Sequence, residues 1–284
     1  MSNDLNDARR IKNEIQRLLL QNRAHNYIGK QSKGKLLDLN NHVGLLTGSS
    51  AIRKRKLLND QSEYELCLLL DLSGSIFSSA SGPNPLKKEE KDRVCGLYNM
   101  ITYAYSLLQV FIPILGENNV HIYGFNRDFV NLKYLFLKRK MTNQLDKATI
   151  DYIYSEVYIW SNYNSRNGGN HDGYALTQAV ISTPWKDDVD VSNRIVVHFS
   201  DGLPACGGCV FPGCFQKDSE LIRNLNNSIK QIETSGYVLV GVGINDEGVQ
   251  RFYKKLNVVA KNALEMYEGT LKILKQQIKR GNFK

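Results

Sequence analysis

At 284 residues, with 42% apolar and 10% aromatic side chains, the chain can bury a core and hold one large domain or two modest ones. No run approaches the ~18 consecutive apolar residues of a membrane span, and the opening Met-Ser-Asn-Asp-Leu-Asn-Asp lacks the basic-then-apolar order of a signal peptide, so a cytoplasmic protein is expected. The net charge of +9 comes from 37 basic against 28 acidic residues, gathered partly in Arg53-Lys54-Arg55-Lys56, in Lys138-Arg139-Lys140 and in the tail from Lys272 to Lys284. Without interleaved aromatics or a reading helix, such runs read as solvated surface, with an acidic protein or a nucleic acid as the alternative partners.

Leu5, Ile11, Ile15, Leu18 and Leu19 recur at helical spacing among charges, which predicts an amphipathic helix over 4–24. A Gly- and Lys-punctuated stretch from Gly29 to Lys35 follows. Residues 1–62 read as a helical and basic N-terminal extension, because they hold too few apolar residues for a core of their own. Over 63–284 strands and helices alternate. Strands are predicted over 64–71 and 120–125, with a long helix over 88–111 between them. Residues 129–136 alternate apolar and polar and predict an antiparallel edge strand. Helices over 145–158 and 173–182 precede a buried strand over 194–199; then come a helix over 219–235, a strand over 237–242 and a helix over 247–256. A short strand at Val258-Val259 and a helix over 263–279 complete the chain. The repeated order predicts an α/β fold, a doubly wound, mostly parallel Rossmann-like sheet with helices on both faces.

Five cysteines are an odd number for a disulfide framework. Cys67 and Cys95 fall in predicted apolar elements and read as small hydrophobes. Cys206-x2-Cys209-x4-Cys214 supplies three of the four ligands that a structural zinc needs; His198 or another chain could supply the fourth, and a reduced Gly-rich loop is the plain alternative.

The chemistry gathers at strand ends. Leu66 to Leu70 is an uninterrupted apolar run that stops at Asp71 and then presents Ser73 and Ser75 at alternate positions. A carboxylate with two hydroxyls in a Gly-containing turn is half of a hard-cation site, since Mg2+ keeps several waters and asks for few protein charges. A second buried strand ends in Ser200-Asp201-Gly202, so two acids can meet at one crevice. Between them, Gly168-Gly169-Asn170-His171-Asp172-Gly173 is a polar loop running into a helix; Asn170 offers an amide oxygen, and Asp172 a ligand or a cap.

In order and strand context these three pieces resemble the metal-ion-dependent adhesion site (MIDAS) of von Willebrand factor A (VWA) domains. The resemblance spans about 63–284 and implies the VWA fold, with Mg2+ (or Mn2+ or Ca2+) held by Asp71, Ser73, Ser75 and Asp201, the last directly or through water. Asn170 stands where the family usually has threonine, and Asp172 joins it as a candidate ligand. Asn170-x-Asp172-Gly173-x-Ala175-Leu176 is similar to the A domain at the C-terminus of the CobT-type subunit of aerobic cobaltochelatase. Further likeness lies in 29–37, in 53–56 and in the stretch from Gly241 to Tyr253. The long N-terminal region and acidic linker of that subunit are absent, and the Cys206–Cys214 loop is an addition. Stand-alone A domains carried by phages, which would act in the host cytoplasm, and paired with MoxR-type ATPases are also similar.

The resemblance implies a metal-dependent protein-binding module, not catalytic alone, whose cation is completed by an acidic residue of a protein ligand. It also implies a MoxR- or CobS-like AAA+ ATPase as partner; the chain has no G-x-x-x-x-G-K-[ST] phosphate loop, so ATP hydrolysis is expected in that partner. Metal insertion into a tetrapyrrole and remodelling of a protein are both open. A Mg2+-dependent phosphohydrolase using Asp71 and Asp201 with His171 or His198 is the enzymatic alternative; His198 reads as core and His171 as loop structure.

Overall fold

The computed structural model describes residues 26–31, 36–37, 53–57, 64–78, 96–126, 128–137, 147–164, 170–200, 204, 218–244, 247–261 and 263–281, together with Asn13. Apart from Asn13, the predicted helix over 4–24 lies outside the described residues, as do Cys95 and the first residues of the predicted 88–111 helix. Within the segment read as an extension, Asn26–Gln31 (β1), Leu36–Leu37 (β2) and Arg53–Leu57 (β3) form an antiparallel sheet in the order β1-β3-β2. The basic run Arg53 to Lys56 is therefore the middle strand of that sheet, which hydrophobic patterning did not foresee.

The main sheet grows from the apolar runs. Glu65–Asp71 (β4) and Val120–Phe125 (β5) are buried along their whole length, and a strand without a polar face needs cover on both sides. With Phe129–Asn131 (β6), Arg194–Ser200 (β7), Val238–Ile244 (β8) and Asn257–Ala260 (β9) they make a six-stranded sheet in the order β6-β5-β4-β7-β8-β9. Every neighbouring pair is parallel except β5 with β6. The expected doubly wound, mostly parallel Rossmann-like α/β sheet with one antiparallel edge strand is thus present.

Eight α-helices are described from end to end: Gly74–Ser78 (α1), Gly96–Leu115 (α2), Lys133–Leu137 (α3), Lys147–Asn164 (α4), Asp172–Ser182 (α5), Asp218–Thr234 (α6), Gly248–Phe252 (α7) and Ala263–Gly281 (α8). Side-chain alternation sorts the strands' residues between two layers. Leu66, Leu68, Leu70, Val197 and Phe199 pack with Leu108 of α2, Ile153 of α4 and Leu271 of α8. Cys67, Leu69, Val196 and Leu239 pack with Leu176 of α5, Ile229 of α6 and Val249 of α7. By the same alternation Asp71, His198 and Ser200 belong to the α5 face of the sheet.

Two expected elements are shorter than their patterns. The edge strand predicted over 129–136 ends at Asn131, whose Oδ1 accepts the Lys133 N–H at 2.9 Å and starts α3, so a local side-chain bond overrides the alternation. The helix predicted over 247–256 stops at Phe252, because Tyr253 leaves it for the sheet and Asn257 Nδ2 donates to the Tyr253 carbonyl at 2.6 Å. Among the described residues no helix is long and apolar enough to cross a membrane.

From β4 the chain adds β5 and β6 on one side, then β7, β8 and β9 on the other. Strand order therefore reverses between β4 and β7, and such a switch point opens a crevice above the carboxyl ends of the strands. Asp71 and Ser200 are the last residues of those two strands. At the opposite end of the sheet, buried Glu65 accepts the Lys186 N–H at 3.1 Å, and Arg194 donates to the Lys186 carbonyl at 2.7 Å while lying over Trp185. These contacts tie the connection from α5 to β7 down.

His121 sits beside Trp185, with ring centres 6.1 Å apart, and its Nε2 is buried without a hydrogen-bond partner. Burial, with Lys133 as a smaller cause, lowers its pKa to about 4. The unfolded chain takes up that proton near pH ~6.5, whereas the folded chain resists it, so stability is full above ~6.5 and declines as the pH falls toward ~4. Thermal melts across that window should show the decline, and His121→Phe should flatten it; an unchanged slope in the variant would assign the effect elsewhere.

Candidate metal centre

Asp71 is fully buried where β4 ends, and three bonds hold the turn that follows it. The Ser73 N–H donates to Asp71 Oδ1 at 2.8 Å, closing a turn on the carboxylate. The Leu72 N–H donates to the Phe125 carbonyl at 2.6 Å, and Ser161 Oγ of α4 donates to the Leu72 carbonyl at 2.8 Å. Ser73 Oγ lies 2.8 Å from Ser75 Oγ, and Ser75 is exposed at the head of α1. Asp71, Ser73 and Ser75 thus form one short polar run on a rigid strand end.

Asn170 joins them from far along the chain. Its Nδ2 donates to Asp71 Oδ2 at 2.9 Å. Because a carboxylate only accepts, the amide must turn its nitrogen to Asp71, which leaves Oδ1 facing elsewhere. That oxygen is buried and has no hydrogen-bond partner. The loop is further held by the His171 N–H, 3.5 Å from the Asn126 carbonyl at the end of β5.

Asp172 takes a different direction. It is the first residue of α5 and fully buried, and its Oδ1 lies 3.3 Å from His198 Nε2. The approach is close enough for ion-pair attraction but misses hydrogen-bond geometry, so both carboxylate oxygens remain without a hydrogen bond. The next residue explains how α5 is seated. A Cβ on Gly173 would lie 2.6 Å from the Leu225 nitrogen of α6, and the Gly173 carbonyl accepts from Ser228 Oγ at 2.9 Å and Thr177 Oγ1 at 3.0 Å. Only glycine allows the two helices this close.

Ser200, nearly buried, closes β7 on the same face as Asp71. Asp201 and the three loop cysteines Cys206, Cys209 and Cys214 lie outside the described residues. The structure therefore brings together Asp71, Ser73, Ser75 and Asn170 of the sequence-derived set, and joins Asp172 to His198 instead.

No family model matches the chain, and no curated protein matches it.

The chemistry of the crevice rests on its unpaired groups. Among the described residues ten buried side-chain N or O atoms lack a hydrogen-bond partner, and half of them, Asn126 Nδ2, Asn170 Oδ1, both Asp172 oxygens and His198 Nε2, belong to residues around these strand ends. Each such group costs about 1–3 kcal/mol unless something completes it. No group of three His, Cys, Asp or Glu side chains is gathered among the described residues. A soft-metal site is thus not formed by them, but one carboxylate, two hydroxyls and an amide oxygen are the donor chemistry of a hard cation such as Mg2+. Asp71, Ser73, Ser75 and Asn170 carry donors of that kind, and the Asn170 oxygen is the one left unpaired.

Two contributors escaped the sequence reading. Asn126 carried no motif. Tyr253 lies against β8 with its hydroxyl on His198 Nδ1, and the signal for it was Gly241, a glycine in the middle of a buried strand. His198 itself is buried among Phe125, Tyr253 and Asp172.

Proposed function

We propose that this chain is a metal-dependent protein-binding module of the VWA type, whose crevice takes Mg2+ (or Mn2+ or Ca2+) and presents it to an acidic side chain of a partner. The observation that carries the reading is the Asp71–Asn170 bond at the switch point, with Ser73 and Ser75 beside it and the Asn170 oxygen left unpaired. Asp201, following Ser200, is the further ligand that the VWA resemblance supplies. The two hydroxyls lie against each other at 2.8 Å and suit a cation shell. The same resemblance assigns the chain as the non-ATPase partner of a MoxR-type AAA+ ATPase in a cobaltochelatase-like complex, inserting a metal or remodelling a protein. Nucleotide hydrolysis then belongs to the ATPase.

A cation that binds only the folded state stabilises it by about 2.7 kcal/mol at a concentration 100 times Kd. Adding Mg2+ or Mn2+ to the metal-free protein should therefore raise its melting temperature, and the protein should retain the ATPase on a column in Mg2+ but release it in EDTA. No cation-dependent rise, with equal retention in EDTA, would overturn the assignment.

A further inference from the structure

Asp172, His198 and Tyr253 form a buried polar chain beneath the crevice. They come from the start of α5, from β7 and from the residue after α7, and none is more than 2% exposed. His198 Nε2 stands 3.3 Å from Asp172 Oδ1, and Nδ1 is hydrogen-bonded to the Tyr253 hydroxyl. His198 thus bridges Asp172 and Tyr253 through its two ring nitrogens. Burial, then Asp172 and Glu233, hold the Tyr253 phenol well above its ordinary value, so the hydroxyl stays protonated.

The sheet is shaped to admit this chain. Gly241 is the register partner of His198 on β8, and a Cβ there would lie 2.2 Å from Tyr253 Cγ. The ring occupies the space where a side chain would otherwise stand, and its hydroxyl reaches across to β7. At the other end, Asp172 lies two residues from Asn170, which donates to Asp71 and keeps a buried, unpaired Oδ1. Well-packed apolar side chains would stabilise this interior as well as a buried polar chain does. Its place next to the orphaned amide suggests what it does instead.

The geometry points to His198 and Tyr253 as positioning residues: they fix the Asp172 end of α5 against β7, so that Asn170 Oδ1 is presented to the cation. The inference rests on the metal reading of the crevice. Neither residue touches the ion. They act as an outer shell of the kind that orients ligands in metal sites, where losing a partner typically weakens metal affinity 10–100-fold.

The test is Mn2+ binding, read from the EPR signal of the free ion, in the full chain and in Tyr253→Phe, Asn170→Ala and the double variant. Tyr253→Phe keeps the ring against Gly241 and removes only the hydroxyl; it should weaken Mn2+ by about 10-fold. In the Asn170→Ala background the same substitution should add no further loss of affinity, while its cost in thermal stability stays the same in both backgrounds. A purely structural role would give equal losses of affinity in both. His198→Gln, which keeps an N–H near the Nε2 position, should bind closer to wild type than His198→Leu, a comparison that stands if Tyr253→Phe does not fold. Wild-type affinity in Tyr253→Phe, or additive losses in the double variant, would overturn the positioning role while leaving the metal site intact. Absence of Mn2+ binding in the wild type would overturn both.

Discussion

Asp71→Ala should abolish cation binding and measurably weaken the fold, and the two effects can be separated. The carboxylate accepts from the Ser73 N–H and from Asn170 Nδ2 in a fully buried position. Removing it strands both donors, at about 1–3 kcal/mol each, while relieving the cost of burying a charge. The net loss should be about 1–3 kcal/mol, read as a lower urea midpoint in metal-free buffer. The effect on metal is larger. Loss of an outer-shell partner alone weakens metal sites 10–100-fold, so removing the one carboxylate that the described crevice contributes should lower Mn2+ affinity by at least ~100-fold. Asp71→Asn keeps an oxygen for the Ser73 N–H and removes the charge. It should unfold nearer to wild type yet lose the cation all the same. Wild-type Mn2+ affinity in Asp71→Asn, measured by titration calorimetry, would exclude the carboxylate as a ligand.

Gly173→Ala should be the most damaging small substitution on α5, although helix propensity alone points the other way. Alanine is favoured over glycine within a helix by about 1 kcal/mol. Against that, the added Cβ would stand 2.6 Å from the Leu225 nitrogen, 2.7 Å from the Asn224 carbonyl carbon and 2.9 Å from the Leu225 Cα. These are backbone atoms inside α6 and cannot swing aside, so the helices must part. Overpacking of this kind costs about 1–3 kcal/mol and sometimes more, and the bond from Ser228 Oγ of α6 to the Gly173 carbonyl, about 1 kcal/mol, weakens with it. Clash and the lost bond outweigh propensity, for a net loss of about 1–3 kcal/mol. Urea denaturation reads this directly; a midpoint equal to or above wild type would mean that α5 and α6 do not meet at Gly173. Because Asn170 and Asp172 flank the same helix start, the variant should also bind Mn2+ more weakly than its stability alone would suggest.

Where hydrophobic pattern alone decides an element, it was legible: Val120–Phe125 has the bounds that the sequence suggests, and β4 and β7 differ from theirs by one residue at an end. Where one side chain intervenes, it was not. Residues 129–136 alternate like a strand throughout, yet a single Asn131 bond turns the second half into α3. β3 is written in Arg and Lys, residues that report nothing about a buried face. The candidate site divides in the same way. Asp71, Ser73 and Ser75 are adjacent in sequence and could be read as a group, and Asn170 sits in a recognisable loop. The link from Asp172 to His198 to Tyr253 joins three distant elements by one hydrogen bond and one ion-pair contact, and no local pattern encodes such a meeting. His198 looked like a core residue because it is one; what the sequence hides is that its neighbours are polar.

The reversal of strand order between β4 and β7 also sets when the crevice can exist. β4 is made early, but its neighbour β7 follows only after β5, β6 and the helices α2 to α5 have been synthesised. Asp71 therefore waits, on an emerging chain, for Asn170 to arrive and for β7 to close the gap beside it. Pairing strands so distant in sequence is slow because a long loop must be closed before any contact rewards it. A ribosome-bound chain halted before Arg194 would carry the first motif without its pocket, so on the proposed metal reading cation capture waits for β7.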